Sequence, residues 1–252
     1  MVMMFNGTPA ILPKRIDLLS PAASGNTLLN GLISYWELNE SAGNSRLDSH
    51  SSNHFLEGTT VPTRAGINGT TAANFVPTDY LHLPSGSETD FRFGDSSFSF
   101  LVWVLYDDAH SDPTIMKYSA GAGGREFALF RDSGSNVAFY TSANGTAVTG
   151  YPSITSVAAG AWNLFYCYHD HVNDIVGISM NAGTPVTMAY TGGIHNGTEA
   201  LYLGNWAGSS GALDGGIQKL GFWNRVLDMD NDVIPYYNSG NGLIYPEFAS
   251  AA

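Results

Sequence analysis

Apolar residues recur along this chain at two-residue spacing, in short bursts separated by Gly, Asn, Asp and Pro. Such alternation sends successive side chains to opposite faces of an extended strand. Strands are predicted near 32–38, 55–60, 71–76, 79–83, 97–106, 113–118, 126–131, 136–141, 162–170, 174–180, 185–189, 199–204 and 214–223, where Val, Ile, Phe, Tyr and Trp concentrate. Only 226–238 has a helical pattern, with Asp228 placed to cap it and acidic residues in its first turn. Many strands with no helices between them predict an all-β fold, a two-sheet antiparallel sandwich or a barrel. Residues 1–30 read as an extended N-terminal arm carrying Pro9, Pro13, Pro21 and the basic pair Lys14-Arg15, ahead of a domain at 31–248.

Two strands are apolar on both faces. Between Ser97 and Tyr106, one face carries Phe98, Phe100, Val102, Val104 and Tyr106, the other Leu101, Trp103 and Leu105. In 162–169, Phe165 and Cys167 oppose Leu164, Tyr166 and Tyr168. One face of each belongs to an inter-sheet core. The second is covered by a loop or the arm, or it is a binding surface.

Composition sharpens this. Charged residues are only 13% of the 252, against a usual share of roughly a quarter, and neutral polar side chains with 29 glycines fill the gap. The net charge of −12 comes without any cluster of Lys and Arg, which excludes nucleic acid as a partner and opposes binding to anionic membranes. No apolar stretch approaches the roughly 20 residues that span a bilayer, so no membrane insertion is expected. Met1-Val-Met-Met-Phe-Asn6 lacks a basic region followed by an apolar core, so no secretory signal is read there. The single cysteine, Cys167, excludes an intrachain disulfide and reads as a small buried hydrophobe.

The order of several weak motifs resembles the laminin-G-like, concanavalin A-like jelly rolls. Gly31-Leu-Ile-Ser-Tyr-Trp-Glu-Leu-Asn-Glu-Ser-Ala-Gly43 with Asp48-Ser49 resembles that family's opening strand and its following loop. Thr71–Phe75, Asp79–Leu83, Phe98–Val104 and Ala161-Trp162 resemble its next strands. Leu201-Tyr-Leu-Gly204, Leu213–Ile217, Gly221–Leu227 and Tyr237–Gly242 resemble its closing run. The resemblance covers about 31–245 and implies a concanavalin-like β-sandwich. It also implies a Ca2+ ion held by Asp48, Asn53 and Asp214 with backbone carbonyls, although Gly215, Gly216 and Gln218 stand where the family often has acids.

Other chemistry is sparse. Sugars stack on flat aromatic faces, so Trp103, Tyr166, Tyr168 and Trp206 are the candidate glycan contacts. Asp228–Asp232 begins like an EF-hand loop, but Val233 and Ser239 occupy the positions that need Gly and Glu. His169 and His171, or His50 and His54, lack a third zinc ligand placed nearby by sequence. Asn6, Asn39, Asn68, Asn144 and Asn196 fit the glycosylation acceptor pattern, but four of the five, all except Asn39, are Asn-Gly pairs, so tight turns are the favoured reading. Glycosidases of the family resemble one another in a Glu-x-Asp-x-Glu strand, which is absent, so no catalytic residue is named and a glycoside hydrolase is the least favoured reading.

Two functions are expected. One is a non-catalytic decoration or attachment protein on a virion surface, made in the host cytoplasm, docked on a capsid or tail protein through the arm, and forming a homo-oligomer or lattice. The other is an extracellular carbohydrate-binding or adhesion module of a larger exported protein.

Overall fold

The computed structural model describes residues 28–108, 112–118, 123–205 and 212–249. Fifteen strands are described: β1 (Leu32–Trp36), β2 (Leu56–Glu57), β3 (Thr63–Ala65), β4 (Thr71–Phe75), β5 (Leu81–Leu83), β6 (Phe98–Tyr106), β7 (Asp112–Tyr118), β8 (Arg125–Arg131), β9 (Val137–Thr141), β10 (Ser153–Ile154), β11 (Trp162–Asp170), β12 (Ile175–Met180), β13 (Val186–Ala189), β14 (Leu201–Leu203) and β15 (Gly215–Trp223). Each strand expected from the apolar alternation is present. The two short ones without that pattern, β3 and β10, are additions. β3 exists because the Asn68-Gly69 turn, with φ of 50° and 72°, folds it back onto β4 with Ala65 opposite Thr71. Two left-handed residues in succession give the hairpin the twist its strands need.

All strand pairings are antiparallel, in two sheets. The first runs β13-β12-β11-β6-β15-β4-β3, and β1 joins it against the second half of β15. The second runs β10-β9-β8-β7-β14-β5-β2. Between the sheets lies one core, to which β6 contributes Phe98, Phe100, Val102, Val104 and Tyr106, and β11 contributes Phe165 and Cys167, the two faces that alternation predicts. Phe127, Leu129, Phe139, Leu201 and Leu203 meet them from the second sheet. Burial pushes the Cys167 thiol well above its ordinary pKa, in keeping with an inert core position.

The outer face of the first sheet carries a second core. Leu101, Trp103, Leu164, Tyr166, Tyr168, Tyr35 and Trp223 are buried there beneath Leu28, Leu227, Val233, Tyr236, Leu243 and Phe248. The chain after β15 supplies most of that cover. Asp228 accepts the Asp230 and Asn231 N–H groups and starts a helical stretch, Met229–Val233 leading into Ile234–Tyr237. That segment is pinned by polar contacts that also satisfy buried groups. Tyr166 donates to the Leu227 carbonyl (2.8 Å), Tyr236 to that of Lys219 (2.6 Å), and the Lys219 ammonium to that of Leu243 (2.8 Å). Trp223 Nε1 donates to the Leu28 carbonyl (2.7 Å), which ties Leu28 onto this second core.

Candidate functional site

The structure corrects the expected sugar contacts. Trp103, Tyr166 and Tyr168 share one face of the first sheet, as the alternation requires, but that face is interior. Trp103 is 2% exposed and stacks on Tyr237 with ring centroids 5.6 Å apart, and Tyr166 and Tyr168 stack on each other at 5.1 Å. A ring covered on both sides offers no face to a sugar. Trp206 lies outside the described residues.

The loop after β1 does not assemble the calcium ligands implied by the resemblance. Asp48 Oδ1 accepts the N–H groups of Tyr35 (3.1 Å), His50 (2.9 Å) and Ser51 (3.0 Å). Its Oδ2 accepts the Asn53 N–H (3.2 Å) and the Ser51 hydroxyl. Burial acts to raise the Asp48 pKa, but the Ser51, His50 and Tyr35 donors prevail and hold it below the ordinary range. The Asn53 Nδ2 donates to Ser34 Oγ (2.8 Å) and Asp90 Oδ2 (3.0 Å). Asp214 precedes β15, whereas Asp48 bridges Trp36, which pairs with Leu220; six strand residues separate the two sites by roughly 20 Å. These three residues do not fit a shared cation. Among the described residues, no three His, Cys, Asp or Glu side chains are grouped to hold a metal. His169 bonds the Ser96 carbonyl through Nδ1 (2.9 Å) and His171 pairs with Asp95 (3.1 Å), so the two point to separate partners.

The second sheet presents a different outer face. Its inward positions are Leu81, Leu83, Ile115, Phe127, Leu129, Phe139, Leu201 and Leu203. The alternate positions point out, and strand register lines them up. Tyr140 sits opposite Ala128, Ala128 opposite Met116, Met116 opposite Tyr202, Tyr202 opposite His82, and His82 opposite Leu56. One straight row therefore crosses six strands, with Ala128 and Met116 buried between half-buried rings and Leu56 exposed at its end. Flanking rings thicken it. Phe130 stacks on Tyr140 (5.5 Å, 19°), His82 on Tyr202 (6.1 Å, 23°), and Tyr80 packs edge-on to Tyr202 (6.1 Å). Gly58 makes room for Tyr80, because a Cβ there would sit 1.9 Å from its ring. Burial lowers the His82 pKa and raises those of Tyr140 and Tyr202, so the row is neutral at physiological pH.

Toward the end of β7 and the start of β8, beyond the row, lie two cations, Lys117 on the inner side and Arg125 on the outer. Lys117 pairs with Phe127 and Tyr118 with Arg125, leaving Glu126 as an extra residue in β8. That bulge turns Glu126 inward onto Lys117, an ion pair wholly shut from solvent. Burial pushes the Glu126 pKa up to about 7 against the pull of Lys117, and pushes Lys117 down. The same bulge carries Arg125 to the outer side, where its guanidinium lies 5.4 Å from the centroid of the Tyr118 ring.

Comparison with known proteins agrees with this architecture. Residues 75–231 match the model of a family described as the Concanavalin A-like lectin/glucanases superfamily. No curated protein matches by sequence. Among solved structures, the binding domain of botulinum neurotoxin DC in complex with SialylT is similar at 12% identity and a TM-score of 0.62, over 84% of this chain and 52% of that one. A botulinum neurotoxin type C structure concerned with two ganglioside molecules aligns at 12% identity and a TM-score of 0.58, over 84% and 52%. The chain thus spans about half the length of these toxin chains. Domain 4 of AbnA, an extracellular arabinanase from Geobacillus stearothermophilus in complex with arabinotriose, is similar at 16% identity and a TM-score of 0.56, over 79% of this chain and 95% of that domain.

Proposed function

This chain belongs to the Concanavalin A-like lectin/glucanases superfamily, and on that premise we propose that it is a non-catalytic carbohydrate-binding module whose glycan lies across the outer face of the second sheet. The observation that carries the reading is the register-aligned row from Tyr140 through Tyr202 and His82 to Leu56. Neutral half-buried rings give apolar faces for sugar C–H groups, and their hydroxyl and imidazole edges give hydrogen bonds. The arabinotriose and ganglioside associations of similarly folded domains support a glycan as the occupant. Support for the absence of catalysis comes from the acids. Glu88 adds to the rise in the Glu126 pKa, yet neither side chain is exposed, so no glycosidic bond reaches them.

A glycan array probed with the full chain tests this. Binding is expected, and Tyr140→Ala combined with Tyr202→Ala is expected to weaken it about 10- to 100-fold, two stacking contacts' worth. No binding to any glycan, or equal binding by the double variant, would overturn the reading.

A finer placement puts the module on a virion, with segment 1–30 docked on a capsid or tail protein and copies forming an oligomer or lattice. Its support is the composition of that segment, which carries Pro9, Pro13, Pro21 and the basic pair Lys14-Arg15. Light scattering of the full chain beside residues 28–252 tests it. Self-assembly of the full chain alone is expected, and two monomers would contradict it.

A further inference from the structure

We infer that the same face recognises a sugar carboxylate, that of a uronate or a sialate, through Arg125; this rests on the glycan-binding reading above. The argument begins with the basic residues. Arg46 pairs with Glu57, Arg64 with Asp107, Arg92 with Glu88, Lys117 with Glu126 and Arg225 with Asp232. Arg131 donates to the carbonyls of Asp108 and Val157, and Lys219 to that of Leu243. Arg125 alone among the described Lys and Arg residues has no hydrogen-bond acceptor, and its Nε is buried with none. In a protein of net charge −12, a guanidinium without a carboxylate partner on a ring-lined face is the exception that needs a reason.

Its position is built rather than accidental. By simple alternation Arg125 would share the inward face with Phe127 and Leu129. The Glu126 bulge reverses it, and the sealed Lys117–Glu126 pair holds the bulge from beneath. The Tyr118 ring lies against the guanidinium in a cation–π contact, which helps fix where the charge sits on this face. A guanidinium fork matches a carboxylate bidentately, which a neutral hydroxyl cannot do. Arg125 lies three residues along β8 from Ala128, roughly 10 Å, so a sugar anchored there extends directly over Tyr140 and into the aromatic row.

Calorimetric titration of the full chain with trigalacturonate and with 3′-sialyllactose, each beside its uncharged counterpart (the trigalacturonate methyl ester and lactose), tests the inference. At least one acid is expected to bind ten-fold or more tightly than its counterpart, with affinity falling as salt rises, and the arm that responds tells uronate from sialate. Arg125→Gln is expected to erase that preference without changing the melting temperature, and Arg125→Lys to restore part of it. Equal binding of acid and neutral forms by the unaltered chain would overturn carboxylate recognition while leaving the glycan reading standing. So would binding of other array glycans with none of these four. A chain that binds no glycan at all removes both.

Discussion

The two sheets turn similar aromatic content to opposite uses. The outer face of the first carries Trp103, Tyr166, Tyr168, Tyr35 and Trp223, and it is interior because the chain from Leu227 to Phe248 folds over it. The outer face of the second carries Tyr80, Tyr118, Phe130, Tyr140 and Tyr202, and each of these rings stays half-exposed. Their residue types barely differ. What differs is whether another segment is available to cover them, and the tail after β15 reaches only one sheet. An aromatic strand face is therefore core or open surface according to its partner, not its composition.

Removing a ring from each face separates the two roles. Trp223→Ala or Tyr236→Ala is expected to cost about 3–5 kcal/mol in urea unfolding, since each leaves a cavity under the tail. A loss below about 1 kcal/mol would mean that the covered face is not a core. Asp48→Ala should cost about 2–3 kcal/mol by stranding the buried Tyr35 N–H and its companion donors, and melting should show that loss equally in chelator and in calcium. Calcium that stabilises the unaltered protein but not this variant would instead make the loop a metal site.

The bulge that separates inward Glu126 from outward Arg125 has a pH signature. Glu126 keeps its proton up to about 7 in the folded protein, whereas the unfolded side chain releases it near 4.5. Its contribution is fully present below 4.5 and is lost as pH rises through about 7, on the order of 3 kcal/mol. Glu126→Gln should flatten that part of the stability profile, and an unchanged slope would remove the assignment. The smallest expected stability effect lies on the open face. Tyr202→Ala should cost under about 1 kcal/mol in urea while weakening glycan binding roughly ten-fold. A variant that unfolds instead would place this ring with the core.

How much of this was legible in the sequence follows from what is local. Alternation assigned the inward and outward residues of β6 and β11, and a local side-chain cap marked Asp228 as the start of the helical stretch. It could not say that the tail would cover Trp103, because that contact joins residues more than a hundred positions apart. The aromatic row was equally hidden: Leu81-His-Leu83 and Leu201-Tyr-Leu203 each show one outward ring, but only strand register puts those rings side by side. In Arg125-Glu-Phe-Ala-Leu-Phe-Arg131, unbroken alternation sends both arginines inward. Arg131 is indeed buried, under the Tyr106 ring, and Arg125 escapes only through a bulge with no glycine or proline to announce it.

Hydroxyl-radical footprinting of the native full chain reads the contrast between the faces in one experiment. Oxidation is expected at Tyr80, Tyr140 and Tyr202, with Trp103, Tyr166, Trp223 and Tyr236 protected until the protein unfolds. Comparable oxidation of Trp103 and Tyr166 in the folded protein would contradict the account.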